Sequence, residues 1–220
     1  MKTMGRFLAT SIAAISLAGP VMAAAPDEAE VSIFREQPRS YAGPSIVQFN
    51  LDSDLVDQQP GGLMVRLGGR FDDHYGAEVK IGAGLWHEAQ RDGLPGSVKK
   101  LVMDVDYVVG GYFTGRWGWQ LPYVRVPMIR QFYVDAQVGL AALQVSAEAE
   151  TFSNLSSDAD WDGTSLSYGL GLGFDFDLPF LGVPAAAGLQ YMSYGSLEDV
   201  PSNGDDLDIS SLEGSLQIFF

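Results

Sequence analysis

The last eleven residues, 210–220 (SSLEGSLQIFF), alternate between apolar and polar side chains. Leu212, Leu216, Ile218 and Phe220 form an apolar row, and the residues between them are polar as far as Gln217. A period of two residues is typical of a β-strand with one apolar and one polar face. The segment therefore predicts a strand that separates an apolar environment from a polar one.

Seven earlier segments show the same alternation, at 41–51, 62–71, 76–87, 101–113, 132–147, 164–176 and 184–194. In the first of them Val47, Phe49 and Leu51 form the apolar row. Eight amphipathic strands of about ten residues are typical of a small membrane barrel, and closing the sheet leaves no unpaired edge in lipid. The sequence predicts an all-β fold, an eight-stranded antiparallel up-and-down transmembrane β-barrel over residues 41–220.

The N-terminus has the features of an export signal. Lys2 and Arg6 precede an apolar stretch at 7–17, and Ala23 ends a run of small or apolar residues. We predict a secretory signal peptide over 1–23 and a polar periplasmic lead over 24–40. The apolar stretch is shorter than the roughly 18 residues of a spanning helix.

Composition excludes several other classes of protein. The chain has no cysteine, so neither disulfides nor thiolate metal sites are possible. Its formal charge of −15 disfavours nucleic acid as a partner, because phosphate binding needs a basic surface. Hydrophobic residues make up 46% of the chain, too many for an acidic disordered protein.

The connections between the predicted strands alternate in length if both ends of the barrel domain lie on the periplasmic side. The predicted outer loops are 52–61, 88–100, 148–163 and 195–209, and they carry most of the acidic residues. The predicted inner turns are 72–74, 114–131 and 177–183. Long outer loops and short inner turns are typical of outer-membrane barrels, although 114–131 is longer than that rule predicts.

Aromatic residues are predicted to gather at the membrane interfaces, where amphipathic rings are most stable. Trp86, Tyr191 and Tyr194 are assigned to the outer rim. The inner rim receives Phe71, Tyr75, Trp117, Trp119, Tyr123, Phe132, Phe174, Phe176, Phe180, Phe219 and Phe220.

Four stretches carry a resemblance to a known family: 62–85 (GLMVRLGGRFDDHYGAEVKIGAGL), 104–113 (DVDYVVGGYF), 167–176 (SYGLGLGFDF) and 216–220 (LQIFF). They resemble the small OmpA-like or opacity-like outer membrane protein β-barrels, a porin-family group of Gram-negative bacteria. The resemblance implies that Leu216, Ile218 and Phe220 form an assembly signal for the barrel assembly machinery. It also implies an outer-membrane location, with membrane lipid and lipopolysaccharide as surroundings.

Charged residues of both signs fall on the polar rows and are predicted to face the lumen, since they would be costly in lipid. They are Arg66, Arg70, Glu78, Lys80, Asp104, Asp106, Asp135 and Glu213. The lumen of an eight-stranded barrel is just wide enough for side chains. We interpret the set as ion pairs that plug the lumen, with a narrow gated solute path as the alternative.

The remaining candidate sites are weaker. Asp158, Asp160 and Asp162 have the opening spacing of a calcium loop, but Gly169 stands where the closing glutamate belongs. Bridging of these carboxylates to lipopolysaccharide phosphates by divalent cations is the alternative. We predict no resident metal and no cofactor.

Catalysis is predicted to be absent. His74 and His87 are the only histidines, and no serine completes a visible acyl-transfer arrangement with either. The sequence thus predicts a non-enzymatic, monomeric outer-membrane protein with a structural or surface-interaction role. A solute channel, a lipid A-modifying enzyme and a soluble ligand carrier remain as alternatives.

Overall fold

The computed structural model describes residues 40–53, 56–87, 89–91, 94, 96–120, 129–153, 156–178, 182–200 and 205–220. The predicted signal peptide and most of the predicted lead lie outside these residues. The strands are β1 (Ser40–Asp52), β2 (Asp57–Gln58), β3 (Gly61–Arg70), β4 (Tyr75–Trp86), β5 (Ala89–Gln90), β6 (Val98–Trp119), β7 (Ile129–Thr151), β8 (Ser156–Leu178), β9 (Val183–Val200) and β10 (Asp205–Phe219).

Eight of these strands form a closed antiparallel ring. Each long strand pairs with its neighbour along the chain, from β1 through β3, β4, β6, β7, β8 and β9 to β10. Pairing of β1 with β10, from Tyr41↔Phe219 to Asp52↔Asp208, closes the ring. The two-residue strands β2 and β5 pair only with β1 and β6. The predicted eight-stranded up-and-down barrel is confirmed.

The two ends of the barrel differ. We call the end that carries Ser40, Phe219 and the 72–74 turn the terminal end, and the opposite end the loop end. Strands β6, β7 and β8 are 22, 23 and 23 residues long, about twice the 9–11 residues that cross a membrane. The barrel wall therefore continues well past one membrane thickness at the loop end.

This extension corrects the predicted outer loops. Residues 148–151 belong to β7 and 156–163 belong to β8, so most of the predicted loop 148–163 is strand. Residues 195–200 and 205–209 are likewise strand. The outward side chains stop being apolar in these stretches, which made them look like loops. The alternation itself continues, as in the SAEAE of 146–150.

Along strand β7 the polarity of the outward and inward faces is exchanged. Its outward side chains are apolar near the terminal end, where Val138 is 48% exposed, and become polar from Gln144 to Glu150. Its inward side chains change in the opposite sense, from the buried Asp135 to the buried Leu143 and Val145. The wall is thus apolar outside and polar inside at one end, and polar outside and apolar inside at the other.

The apolar interior of the loop end is a continuous core. Val47, Phe49 and Leu51 of β1 point into it and are buried, so this apolar row faces inward and not toward lipid. Other members come from β3, β6, β7, β9 and β10: Met64, Met103, Val105, Leu143, Val145, Met192, Leu207 and Ile209. Such packing is what a water-surrounded barrel needs for stability.

Aromatic rings lie at the outer surface of the terminal end. Tyr75 stacks on Phe113 and meets Trp117 edge-on, with ring centroids 5.6 and 6.2 Å apart. Phe174 makes tilted ring contacts with Phe132 and Phe176. Aromatic side chains placed in this way are typical of a membrane interface.

Two assignments to the rims are corrected, and two others cannot be placed. Phe219 points inward and packs against Tyr41, and Tyr194 is buried inside the loop half. Tyr123 and Phe180 lie outside the described residues. Within the described part of the chain, no helix is long and apolar enough to cross a membrane.

Candidate functional site

The charged interior is built by inward positions of neighbouring strands. Arg66 on β3 and Lys80 on β4 are register partners, and Glu78 lies two residues before Lys80 on the same face. Glu213 reaches the same level from β10. All four side chains are buried, so the barrel brings these four predicted lumen residues together.

Glu78 is the most fully bonded of them. Its carboxylate accepts hydrogen bonds from the Arg66 guanidinium at 2.9 and 3.1 Å, from the Tyr41 hydroxyl at 2.7 Å and from the Gln137 amide at 3.1 Å. A planar fork against a carboxylate is the strongest form of protein ion pair. The Arg66–Glu78 pair therefore joins the neighbouring strands β3 and β4 on their lumen face with little freedom.

A second pair lies beside the first. The Lys80 ammonium is 2.7 Å from Glu213 and also donates to the Gln190 carbonyl at 2.8 Å. Glu213 further accepts a hydrogen bond from the Tyr194 hydroxyl at 2.8 Å. Because Lys80 is 3.9 Å from Glu78, the two pairs form one network.

A third group, nearer the terminal end, was not predicted in full. Arg116 is 3.6 Å from both Asp135 and Asp175, donates to Gln217 at 2.9 Å, and lies 3.8 Å over the Tyr133 ring. Sequence reasoning assigned Arg116 to the turn 114–131. The signal that could have found it is its even spacing from the inward Tyr112 and Thr114 on one strand.

Tyr133 explains part of the glycine pattern. A Cβ added at Gly173 or Gly188 would lie 2.5 Å from the Tyr133 ring or its hydroxyl. The Tyr133 ring can lie flat against the wall only because both positions are glycine.

Arg70 is the remaining inward charge near the terminal end. Its guanidinium lies 5.2 Å from the centre of the Phe219 ring. In the part of the lumen that the structure describes, four inward cations are balanced by four inward carboxylates. The cations are Arg66, Arg70, Lys80 and Arg116, and the carboxylates are Glu78, Asp135, Asp175 and Glu213. The cavity between Arg70, Arg116 and Asp135 is about 10 Å³, close to the smallest volume that holds one water.

Two predicted lumen residues lie elsewhere. Asp104 and Asp106 point outward from β6, since Met103 and Val105 occupy the inward positions. Asp104 contacts His87 at 3.4 Å, and Asp106 accepts a hydrogen bond from Ser146 at 3.0 Å. The prediction placed them inside because it assumed that polar rows face the lumen along the whole strand.

The structure does not bring the three carboxylates of the calcium-loop interpretation together. Asp158, Asp160 and Asp162 lie on β8 as alternate outward residues, so neighbouring carboxylates stand about 6.8 Å apart along the strand. Calcium ligands converge on one ion at about 2.3–2.6 Å. Among the described residues no cluster of three or more acidic or histidine side chains could hold a metal.

The two histidines lie at opposite ends of the barrel. His87 is beside Asp104 at the loop end, whereas His74 is in the terminal turn with its Nδ1 3.3 Å from the Arg116 carbonyl. In that turn Asp72 accepts hydrogen bonds from the Tyr75 and His74 amides, which lower the pKa of its carboxyl. No single substrate can meet both histidines.

The family model for the outer membrane protein beta-barrel domain matches residues 11–220. The chain belongs to this family. Family membership places the protein in the outer membrane, and the apolar outer surface near the terminal end is the part that lipid would cover.

Solved barrels of this kind share the fold at low sequence identity. The attachment invasion locus protein Ail of Yersinia pestis is 15% identical, with a TM-score of 0.51, covering 84% of this chain and 100% of that one. Neisserial surface protein A is 15% identical, with a TM-score of 0.47, covering 82% and 97%. A search of curated proteins finds no match.

The residues of the predicted assembly signal occupy the outer surface of this family barrel. Leu216, Ile218 and Phe220 point outward, while Glu213 and Gln217 are buried inside. The Phe220 amide donates to the Ser40 carbonyl at 2.9 Å, which continues the β1–β10 pairing to the last residue.

Proposed function

We propose that this family member is a non-enzymatic outer-membrane protein with a structural or surface-interaction role and a lumen closed by its own side chains. The observation that carries the proposal is the inversion of polarity along the wall. The terminal half is a membrane barrel around a charged network, and the loop half is a water-surrounded barrel around an apolar core. In this arrangement the loop half projects from the membrane as a rigid platform.

Two layers oppose the passage of solutes. A solute would have to separate Arg66 from Glu78 and Lys80 from Glu213. Leaving one partner of a buried pair uncompensated costs about 3–5 kcal/mol. The solute would also have to displace the apolar core around Phe49 and Met103. A passive open pore is therefore the less favoured function.

Orientation follows from the shape of the two ends. We assign the terminal end, with its tight 72–74 turn, to the periplasm and the loop end to the exterior. The projecting outer surface is acidic, with Asp104, Asp106, Glu148, Glu150, Asp158, Asp160 and Asp162 on β6 to β8. One structure of Ail contains the heparin analogue sucrose octasulfate, but a polyanion would be repelled here.

The partners that fit this surface are therefore cationic groups, or lipopolysaccharide phosphates bridged by divalent cations. The protein is proposed to act as a monomer, to be inserted by the barrel assembly machinery and to bind no nucleic acid. A soluble carrier role conflicts with the exposed apolar band. A lipid A-modifying activity would need a catalytic cluster, and His87 with Asp104 alone does not provide one.

Planar-bilayer conductance distinguishes the closed barrel from a solute channel. We expect the purified protein to insert without open-channel steps at neutral pH. The control is Arg130→Ala, which breaks only the exposed Arg130–Asp177 pair. Steady steps in the wild type whose ion selectivity changes in Arg66→Ala, but not in Arg130→Ala, would refute the closed lumen.

A further inference from the structure

The barrel wall is divided by a cleft at the loop end of β8 and β9. Pairing between these strands ends at Tyr168↔Ser193. Strand β8 nevertheless continues to Ser156, paired with β7, and β9 continues to Val200, paired with β10. Among the described residues, one edge of 156–167 therefore makes no backbone pairing with β9.

The cause of the separation is a β-bulge in β9. The register with β10 passes from Ile209↔Gly195 to Ser210↔Ser193, so Tyr194 is the additional residue. Gly195 has a φ of +81°, a conformation that favours glycine. A bulge bends its strand and increases the local twist. The side chain of Tyr194 holds the bend, since it is buried inside and bonded to Glu213.

Side-chain hydroxyls close the bottom of the cleft. Ser167 donates to the Ser193 carbonyl at 2.8 Å, and Ser165 donates to the Tyr194 carbonyl. Above them is a cavity of about 500 Å³ lined by residues 160–164 with Ser196 and Leu197. Leu197 occupies the space that a Cβ at Gly163 would need, so side chains replace strand pairing here.

The β8 edge has two chemically different faces. Asp158, Asp160 and Asp162 point outward, whereas Trp161 points inward and packs against the apolar core together with Leu197. An extended chain that pairs with this edge would place alternate side chains beside the carboxylates and beside the apolar floor. Charge complementarity then requires basic side chains on the outward row.

We propose that the β8 edge of this cleft is a docking site for an extended polypeptide in which basic and apolar side chains alternate. The site rests on the surface-interaction role proposed above and specifies its partner. Main-chain hydrogen bonds to the β8 edge above Gly163, at 156–162, supply affinity, and the two faces supply specificity.

Other occupants fit the cleft less well. Two copies joined edge to edge would bring the Asp158, Asp160 and Asp162 rows of both chains together, and like charges directly opposite destabilise a sheet. A hydrocarbon chain would lie against Ser165, Ser167 and the carboxylates, which it cannot bond. A basic strand has neither conflict.

The test uses the full-length mature protein refolded in detergent micelles and a short fluorescent peptide in which lysine alternates with valine and threonine. Fluorescence anisotropy should detect binding. A peptide N-methylated at alternate amides, which cannot pair with the edge, should bind about tenfold more weakly or worse. A peptide of the same composition with the lysines in one block should also lose affinity.

Matched variants locate the site. Asp160→Asn with Asp162→Asn should weaken binding about tenfold, while Asp104→Asn with Asp106→Asn removes the same charge from β6 and should have little effect. Amide hydrogen exchange should show protection of the edge amides within 157–162 on peptide binding. Trp161 should change its fluorescence, with Trp161→Phe as the control for the other tryptophans.

Several results would overturn the docking site. They are equal binding of the N-methylated peptide, equal losses in the two asparagine variants, protection elsewhere than 157–162, absence of any binding, and a peptide-independent dimer seen by sedimentation. None of these refutes the proposed surface role, because a closed, non-conducting barrel with an exposed loop half would stand without this particular partner.

Discussion

At the scale of single residues, the decisive feature of the barrel is how completely the Arg66–Glu78 pair is hydrogen-bonded. Glu78 accepts hydrogen bonds from three side chains, Arg66, Tyr41 and Gln137, in a place that water does not reach. In such a place the cost of an unpaired charge far exceeds the benefit of the pair itself. The network therefore makes the barrel sensitive to the loss of one partner and tolerant of the loss of both.

Removal of the Glu78 charge alone should destabilise the barrel. We expect Glu78→Gln to lower the free energy of unfolding by about 3–5 kcal/mol, because Arg66 would remain charged and buried. Urea unfolding in lipid vesicles, followed by gel mobility without boiling, measures this.

The double variant Arg66→Met with Glu78→Leu should recover most of that loss. Asp177→Asn, which breaks an exposed pair with Arg130, should cost no more than about 1 kcal/mol. A Glu78→Gln barrel as stable as the wild type would contradict the role given to the network.

At the scale of elements, β7 shows how one strand serves two surroundings. Its outward residues are apolar through Val138 and Leu140 and polar from Gln144 onward, with the inward residues reversed. The period of two is the same throughout, so only the identity of the apolar face changes. A lipid boundary between Leu140 and Gln144 accounts for the change.

Lysine substitutions on β7 test that boundary. Val138→Lys should reduce stability by about 2–4 kcal/mol, the cost of a lysine near the middle of the bilayer on the lipid face of a barrel. Ser146→Lys, about eight residues further along β7 on the same outward face, should be nearly neutral, since its surroundings there are water.

Unfolding of both variants in the same lipid vesicles gives the comparison. Similar losses for the two lysines would place the boundary nearer the loop end than we infer. A neutral Val138→Lys would remove the evidence that this face contacts lipid.

At the scale of the whole molecule, the proposed function gives the two halves of the barrel different tasks. In this proposal the terminal half anchors the protein in the membrane, and the loop half presents an acidic wall with a cleft between β8 and β9. Their boundary is continuous, because the same eight strands build both halves. Anything bound to the loop half is therefore held at a fixed distance from the membrane.

Cysteine labelling tests the projecting loop half. Because the chain has no native cysteine, only the introduced cysteine can react. We expect Glu148→Cys, outward near the end of β7, to react with a membrane-impermeant maleimide on intact cells. Asp73→Cys, in the terminal turn, should react only after the outer membrane is permeabilised. The reverse pattern would invert the proposed orientation.

The last strand is predicted to carry the assembly signal, with Phe220 as its final residue. Deletion of Phe220 removes its outward ring and the bond from its amide to the Ser40 carbonyl. We expect a clear fall in heat-modifiable protein in the outer-membrane fraction, and near-normal levels for Phe220→Tyr, which keeps an aromatic ring. Unchanged levels after the deletion would exclude Phe220 as an assembly signal.

Much of the barrel was determined by the sequence itself. The period of two fixes which residues share a face, and eight repeats of it with an even count require antiparallel closure. The sequence predicted from the polar rows that Arg66, Glu78, Lys80 and Glu213 meet in the lumen, whereas the strand register decided which of them pair.

Other features depended on the tertiary structure. Alternation is the same for a strand in lipid and a strand in water, so it cannot reveal where along β6 to β8 the apolar face changes sides. Asp104, Asp106 and the row from Asp158 to Asp162 were misplaced for that reason. Arg116 joined the network, and β9 separated from β8, only because strand length and the bulge at Tyr194 are set by neighbouring strands across the sheet.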